Sequence, residues 1–143
     1  MKVKQISIFL ENRAGRLDAV AHLFGEAQVN IRALSLAETS DFGVLRLIVD
    51  KPAKASETLD EHNFTYSFTD VVAVEIPDKP GGLAGILDVL TENDINVEYM
   101  YAFLEKATDK AVVVFRFDDI EKALAALDSN EINVLNGKKI VEL

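Results

Sequence analysis

Apolar residues recur along this chain with two periods, one typical of strands and the other of helices. In residues 5–10 the apolar side chains alternate, with Ile6, Ile8 and Leu10 on one face, which predicts a strand. Residues 15–26 instead place their apolar side chains at helical spacing. The rest of the first half predicts two strands, over 29–37 and 43–49, that are joined by a hairpin turn over 39–43. A weak helix over 54–61 and a short strand over 64–68 follow.

The second half of the chain repeats this pattern at a nearly constant offset. Gly15 corresponds to Gly81, and Asn30 corresponds to Asn96. The Asn136-Gly137 turn near the end favours pairing of residues 139–143 as a last strand. Before that turn, the second half predicts a strand over 71–76, a helix over 83–90 and two strands over 95–105 and 111–117. A second helix over 120–127 and a strand over 132–135 follow.

Each half therefore has the order strand-helix-strand-strand-helix-strand. This is the order of the ferredoxin-like fold, in which two helices cover one face of a four-stranded antiparallel sheet. We predict an α+β protein of two βαββαβ units, with one domain over 1–69 and a second over 70–143. Joining the two antiparallel sheets side by side would cover strand edges that otherwise invite aggregation, and would leave all the helices on one face.

The composition excludes several kinds of site. The chain of 143 residues has no cysteine and only two histidines, His22 and His62, so disulfides, cysteine–zinc and iron–sulfur sites, a cysteine nucleophile and a three-histidine metal site are excluded. The net charge of −9 argues against nucleic acid and anionic membranes as partners, because a phosphate binder carries a basic stripe. We expect a cytoplasmic protein with no signal peptide and no bilayer-spanning segment.

The strongest candidate for a functional site is the repeated turn between the first strand and the first helix of each half. Glycine at that turn permits a positive φ, and the helix that follows presents unpaired backbone N–H groups and a partial positive charge. Such a turn suits a carboxylate or a phosphate, which Asn12 and Asn30 could help to orient. Alternatively, Gly15 and Gly81 only make tight turns, the asparagines are turn or cap residues, and nothing binds.

Residues 12–17 with 29–31, and residues 78–83 with 95–97, resemble the ACT domain motif. That motif is approximately Asn-x-Pro-Gly-x-Leu, followed by a helix and then a hydrophobic-Asn-Ile segment. The resemblance covers essentially the whole chain as a tandem pair, and it is close to small stand-alone tandem ACT proteins, sometimes named by analogy with the regulatory subunit of acetolactate synthase. It implies a free amino acid or similar metabolite bound where one domain's strand–helix loop faces the second strand of a neighbouring domain.

The resemblance also implies which residues meet the ligand. The first copy departs from the motif by Ala14 in place of proline, and the second by Asp78 in place of asparagine, so we expect the two sites to differ. The serine-binding branch of the family has a histidine at the position of Leu10 or Ile76, so the resemblance does not imply serine as the ligand. The implied ligand-binding residues are Asn12, Arg13, Ala14, Gly15, Arg16, Leu17 and Asn30, with Asp78, Lys79, Pro80, Gly81, Gly82, Leu83 and Asn96.

Together these observations predict a regulatory sensor that binds an amino acid, forms a homodimer and acts on a partner enzyme of amino-acid metabolism. The chain shows no catalytic triad, no metal cluster and no cofactor motif, so we expect neither an enzyme nor a metal or cofactor site. The alternatives are a ligand-free assembly module and a regulatory subunit of an amino-acid biosynthetic enzyme. The test that separates a sensor from an assembly module is whether the glycine loops open into a pocket with converging donors.

Overall fold

A computed structural model of the chain describes residues 1–38, 40–104 and 110–142. Thr39 of the predicted hairpin turn, Glu105 of a predicted strand and Leu143 of the predicted last strand lie outside these residues. The elements in chain order are β1 (Val3–Glu11), α1 (Arg16–Glu26), β2 (Ile31–Glu38), β3 (Phe42–Val49), α2 (Pro52–Glu61), β4 (Thr65–Pro77), α3 (Gly82–Glu92), β5 (Val97–Ala102), β6 (Lys110–Phe117), α4 (Ile120–Ser129), β7 (Val134–Leu135) and α5 (Gly137–Glu142).

The chain divides into two compact units. The first unit is Lys4–Thr69, and the second unit combines Asp70–Leu143 with Met1–Val3. One contact within the second unit ties its N-terminal residues to α4, because the Lys2 Nζ lies 2.6 Å from the Glu121 Oε1. This hydrogen-bonded ion pair raises the pKa of Lys2 above its ordinary value. Both side chains are exposed to solvent, so the pair contributes little to stability.

In the first unit β3 lies between β1 and β2 and is antiparallel to both, with Leu45 opposite Ile8 on one side and Leu36 on the other. Both helices pack against the same face of this sheet, since alternate residues of β1 share one buried cluster with residues of α1 and α2. The cluster consists of Ile6, Ile8, Leu10, Val20, Phe24, Val29, Leu45, Leu47, Val49, Ala55 and Leu59. The predicted strand face of Ile6, Ile8 and Leu10 is therefore confirmed.

In the second unit β6 lies between β4 and β5, and β7 pairs with the other edge of β4. Val74 of β4 is opposite Val113 on one side and Val134 on the other. The buried cluster of this unit combines residues of the sheet with Ile86 and Leu90 of α3 and with residues of α4. Both units thus have the ferredoxin-like βαββαβ order with antiparallel strands, and the predicted α+β fold class is confirmed. In the described part of the chain, no helix combines the length and the apolar character needed to cross a membrane.

The end of the chain departs from the prediction. Residues 139–142 belong to the helix α5 and do not form a strand. The side-chain oxygen of Asn136 accepts a hydrogen bond from the backbone N–H of Lys139 at 2.8 Å. The backbone carbonyl of Asn136 accepts one from the backbone N–H of Ile140 at 3.2 Å. Asn136 therefore caps a helix where the Asn-Gly pair predicted a hairpin turn.

The middle of the chain differs as well. The two predicted strands over 64–68 and 71–76 are one strand, β4, which runs without interruption from Thr65 to Pro77. No glycine or proline occurs between these two ends, so no residue in this segment disrupts the extended backbone. Residues of β4 up to Thr69 belong to the first unit, and those from Asp70 onward belong to the second.

Candidate functional site

The loop between β1 and α1 makes the left-handed turn that its glycine predicts. Gly15 has a φ of +90° and forms the N-cap of α1, which has no side-chain cap. Among the described residues, no group accepts a hydrogen bond from the backbone N–H of Ala14, Gly15 or Leu17. With respect to the described residues, the loop therefore presents three N–H donors without a partner at the positive end of a helix.

Hydrogen bonds and an ion pair hold the first residues of this loop. The backbone N–H of Asn12 donates to the carbonyl of Asp41 at 2.9 Å, and the Asn12 Nδ2 donates to the carbonyl of Ser40 at 3.3 Å. The Arg13 Nε lies 2.9 Å from the Glu11 Oε2. The Asn12 amide group therefore ties the loop to the turn between β2 and β3, which is a positioning role that the sequence did not predict.

A recess of about 60 Å³ lies beside the loop. This is well below the 300–1,000 Å³ of a typical small-molecule pocket, so the recess by itself encloses only part of an amino acid. Its lining brings together four of the predicted site residues of the first copy, which are Asn12, Arg13, Arg16 and Leu17. We name this cavity the loop recess.

Asn30 lies apart from the loop recess within the first unit. It follows the C-terminal end of α1, whose eleven residues span about 16 Å from the Gly15 end. The backbone N–H of Asn30 donates to the Asp50 Oδ1 at 2.8 Å, and the backbone N–H of Asp50 donates to the carbonyl of Asn30 at 3.1 Å. The first unit therefore does not bring Asn30 and the loop residues around one ligand.

The corresponding loop of the second unit has the same backbone but fewer donors. Gly81 has a φ of +84° and forms the N-cap of α3, again without a side-chain cap. Pro80 has no N–H, whereas Ala14 at the matching position has one. The N–H of Gly82 donates to the carbonyl of Lys79 at 3.0 Å, just as the N–H of Arg16 donates to the carbonyl of Arg13 at 3.4 Å in the first loop. A Cβ built on Gly82 would overlap the carbonyl oxygen of Pro77, so this glycine is required by close packing.

The remaining predicted residues of the second unit repeat the arrangement of the first. Asn96 lies beyond the far end of α3, where its N–H donates to the Asp118 Oδ1 at 3.2 Å and its carbonyl accepts from the Asp118 N–H at 3.3 Å. Asp78 and Leu83 are exposed near the Gly81 end of the helix. Asp50 and Asp118 occupy matching positions in the repeat, and this correspondence is the sequence signal for the shared pair of hydrogen bonds with the asparagines.

Arg16 was predicted as a loop residue, but the structure gives it a partner that the sequence did not predict. Its Cζ lies 4.9 Å from the centroid of the Phe64 ring, which is a cation–π contact. The Nε of Arg16 is buried and has no hydrogen-bond partner. Within the described ranges, no three His, Cys, Asp or Glu side chains are grouped so that they could hold a metal ion.

The left-handed turn leads to a prediction for the first unit. Gly15→Ala should lower the free energy of unfolding by about 1–2 kcal/mol, because an L-residue is strained at this φ although nothing lies within 4 Å of the added methyl group. The matched control is Gly25→Ala in α1, which also has open space at the Cβ and should raise stability by about 0.5–1 kcal/mol. Urea denaturation of both variants measures the difference, and equal effects would contradict the prediction.

Comparison with known proteins identifies the family. The model of the ACT domain pair matches residues 1–143, so the chain belongs to the ACT domain pair family. The chain is similar to a crystal structure of a Bacteroides thetaiotaomicron protein, with 38% identity, a TM-score of 0.93, and coverage of 100% of this chain and 98% of that one.

Two more distant solved structures share the fold. The ligand-free regulatory subunit of aspartate kinase from Thermus thermophilus is 16% identical, with a TM-score of 0.64 and coverage of 90% of both chains. Aspartate kinase from Synechocystis is 15% identical, with a TM-score of 0.56 and coverage of 89% of this chain and 25% of that one. No curated protein sequence matches this chain.

Proposed function

We propose that this protein is a non-enzymatic regulatory protein that binds a free amino acid, or a similar small carboxylate, at the Gly15 loop. The observation that carries the proposal is the set of N–H donors on Ala14, Gly15 and Leu17, which have no acceptor in the described part of the chain, at the start of α1, which has no side-chain cap. These donors and the helix dipole favour a carboxylate, and they lie beside the loop recess. Membership of the ACT domain pair family supports the proposal of a regulatory protein that binds a small ligand.

A second copy of the chain completes the site in this proposal. The loop recess is too small for a whole amino acid, and its rim includes Leu17 and Leu36, of which Leu36 is 50% exposed. Among the described residues of the first unit, β2 pairs with β3 alone, so β2 leaves an edge on which another chain can pack. A homodimer would cover this edge and would let Asn30 or Asn96 of one copy approach the loop of the other.

The two loops should differ in what they bind. The second loop has a proline at position 80, where the first has the free N–H of Ala14, and it has the carboxylate of Asp78 near the helix start. A carboxylate there repels an anionic group and attracts an ammonium group. We therefore propose domains over 1–69 and 70–143, with the first as the stronger carboxylate binder and Lys79, Gly81 and Leu83 forming a weaker counterpart site.

We further propose a cytoplasmic location and a partner enzyme in amino-acid metabolism. A pair of domains with this fold forms the regulatory subunit of aspartate kinase in Thermus thermophilus, which is why an enzyme partner is included. Regulation requires that the ligand bind two states of the protein with different affinity. A ligand at the contact between two copies provides such a difference, because dimerisation changes the walls of its site.

A thermal-shift screen against the twenty amino acids tests this proposal. A ligand at one hundred times its dissociation constant should stabilise the native protein by about 2.7 kcal/mol, which raises the melting temperature. A selective increase for one amino acid or one small group is the expected result. A flat response would contradict the sensor proposal and favour the ligand-free assembly module, for which light scattering would show a dimer that no amino acid affects.

Two variants test which residues contact the ligand found in that screen. Asn12→Ala and Asn30→Ala should each weaken binding about ten-fold, since each removes one hydrogen-bonding amide. The matched control is Asn93→Ala, an exposed asparagine at the end of α3 whose Nδ2 donates to the carbonyl of Val89 at 2.8 Å. Isothermal titration calorimetry measures the affinities, and unchanged affinity in both Asn12→Ala and Asn30→Ala would exclude this site in the first copy.

A further inference from the structure

The first unit contains a second and larger cavity, which shares only Glu11 and Arg16 with the loop recess. Its volume is about 450 Å³, within the range of ordinary small-molecule pockets. Its lining combines three phenyl rings with a few polar side chains: Phe9, Phe42, Phe64, Glu11, Arg16 and Asn63. We name this cavity the aromatic groove.

Arg16 is the cationic group of the aromatic groove, and no carboxylate of the described residues neutralises its charge. Its guanidinium lies against the Phe64 ring, and its buried Nε has no hydrogen-bond partner. Glu11, which also lines the groove, is engaged with Arg13 at 2.9 Å, and within the described chain no carboxylate forms an ion pair with Arg16. Arg16 is half-buried and its guanidinium lies against an aromatic ring, so it is well placed to bind a carboxylate, which a guanidinium can hold through two parallel hydrogen bonds.

The matching place in the second unit lacks this chemistry. It holds a smaller cavity of about 220 Å³. In the repeat, Gly82 occupies the sequence position that corresponds to Arg16, so the second unit has no cation at that position. The cation that lines the cavity is Lys110, whose Nζ lies 3.7 Å from the Glu75 Oε2 and is therefore already paired. Ile132 stands where the first unit has Phe64, so the aromatic surface is lost as well. The cation with its aromatic wall is thus a property of the first unit only.

We propose that the aromatic groove is a second binding site, which takes a small carboxylate with an aromatic or similarly flat, apolar body. The carboxylate binds the guanidinium of Arg16, and the body lies among the rings of Phe9, Phe42 and Phe64. The volume of the groove accommodates one ring with a short acidic arm. This site differs in position and ligand from the loop site of the proposed function, although Glu11 and Arg16 line both cavities.

Calorimetric titration of the full-length protein with phenylacetate, 2-phenylethanol and acetate tests the proposal. Phenylacetate carries both the ring and the charge, so it should bind at least ten-fold more tightly than either of the other two. Arg16→Gln should weaken phenylacetate binding by at least ten-fold, and Arg16→Lys should give an intermediate value, because lysine keeps the charge but loses the planar fork. Lys54→Gln removes a cation of α2 that lies in neither cavity, and it should leave the affinity unchanged.

Phe64→Leu provides a second variant that keeps an apolar side chain but removes the ring, and it should also weaken phenylacetate binding. Amide signals in nuclear magnetic resonance spectra locate the probe. Shifts at Asn63 and Thr65 that Arg16→Gln abolishes are the expected result. Shifts confined to Ala14 and Leu17 would overturn the proposal while supporting the loop site. Unchanged affinity in Arg16→Gln, or no binding of phenylacetate at millimolar concentration, would overturn it as well.

Discussion

Phe24→Ala should lower the free energy of unfolding by about 3–5 kcal/mol. Phe24 is 0% exposed and is among the largest fully buried side chains of the chain. It belongs to the cluster through which α1 packs on the sheet of the first unit, so its removal leaves a cavity under the helix whose first turn forms the Gly15 loop. Urea denaturation followed by circular dichroism measures the loss.

The matched control for this prediction is Phe68→Ala. Phe68 lies on β4 in the first unit, is 41% exposed, and contacts the ring of Tyr66 edge to face at 6.0 Å. Removing it should cost about 0.5–1.5 kcal/mol, because only an aromatic pair is lost and no buried cavity forms. Similar losses in Phe24→Ala and Phe68→Ala would contradict the assignment of Phe24 to the core.

Gly82→Ala should destabilise the protein by about 3 kcal/mol, at the upper end of what overpacking costs. The added methyl group overlaps the carbonyl oxygen of Pro77, which is backbone and cannot move aside as a flexible side chain would. The methyl group would also press on the Ile76 side chain, with its Cγ2 3.4 Å away. The separation of β4 from the first turn of α3 would have to increase.

Gly85→Ala, one turn later in α3, is the control for the Gly82 variant. A Cβ at Gly85 meets nothing within 4 Å, so alanine should stabilise the helix by about 0.5–1 kcal/mol. The two substitutions add the same methyl group to the same helix and should have opposite signs in urea denaturation. A stability within 0.5 kcal/mol of the native protein for Gly82→Ala would show that the close approach of Pro77 can relax.

Much of the fold follows from local patterns. Ile6, Ile8 and Leu10 alternate in the sequence, and they share one buried face because successive side chains of a strand point to opposite sides. The repeated glycines predicted tight turns, and Gly15 and Gly81 both have the positive φ that glycine alone adopts without strain. These features depend on a few neighbouring residues, so the sequence is sufficient to predict them.

The prediction was wrong where one local signal supports two structures. The Asn136-Gly137 pair suits a hairpin turn, yet the same asparagine oxygen also caps a helix. The choice depends on what the following residues can bury, and Ile140 in the helix α5 is only 1% exposed. The segment over 64–76 was also predicted wrongly. The sequence predicted two strands that are interrupted near Thr69 and Asp70, and the structure has one continuous strand there.

The sequence by itself determined the repeat, the βαββαβ order within each unit, the two glycine turns and the family resemblance, because each rests on residues close together in the chain or on the spacing between matching residues. The tertiary structure decided which of those residues meet. It separates Asn30 from the Gly15 loop by the length of α1, and it places Phe64 against Arg16. Contacts of this kind depend on how the sheet and helices pack, and no periodicity in the sequence encodes them.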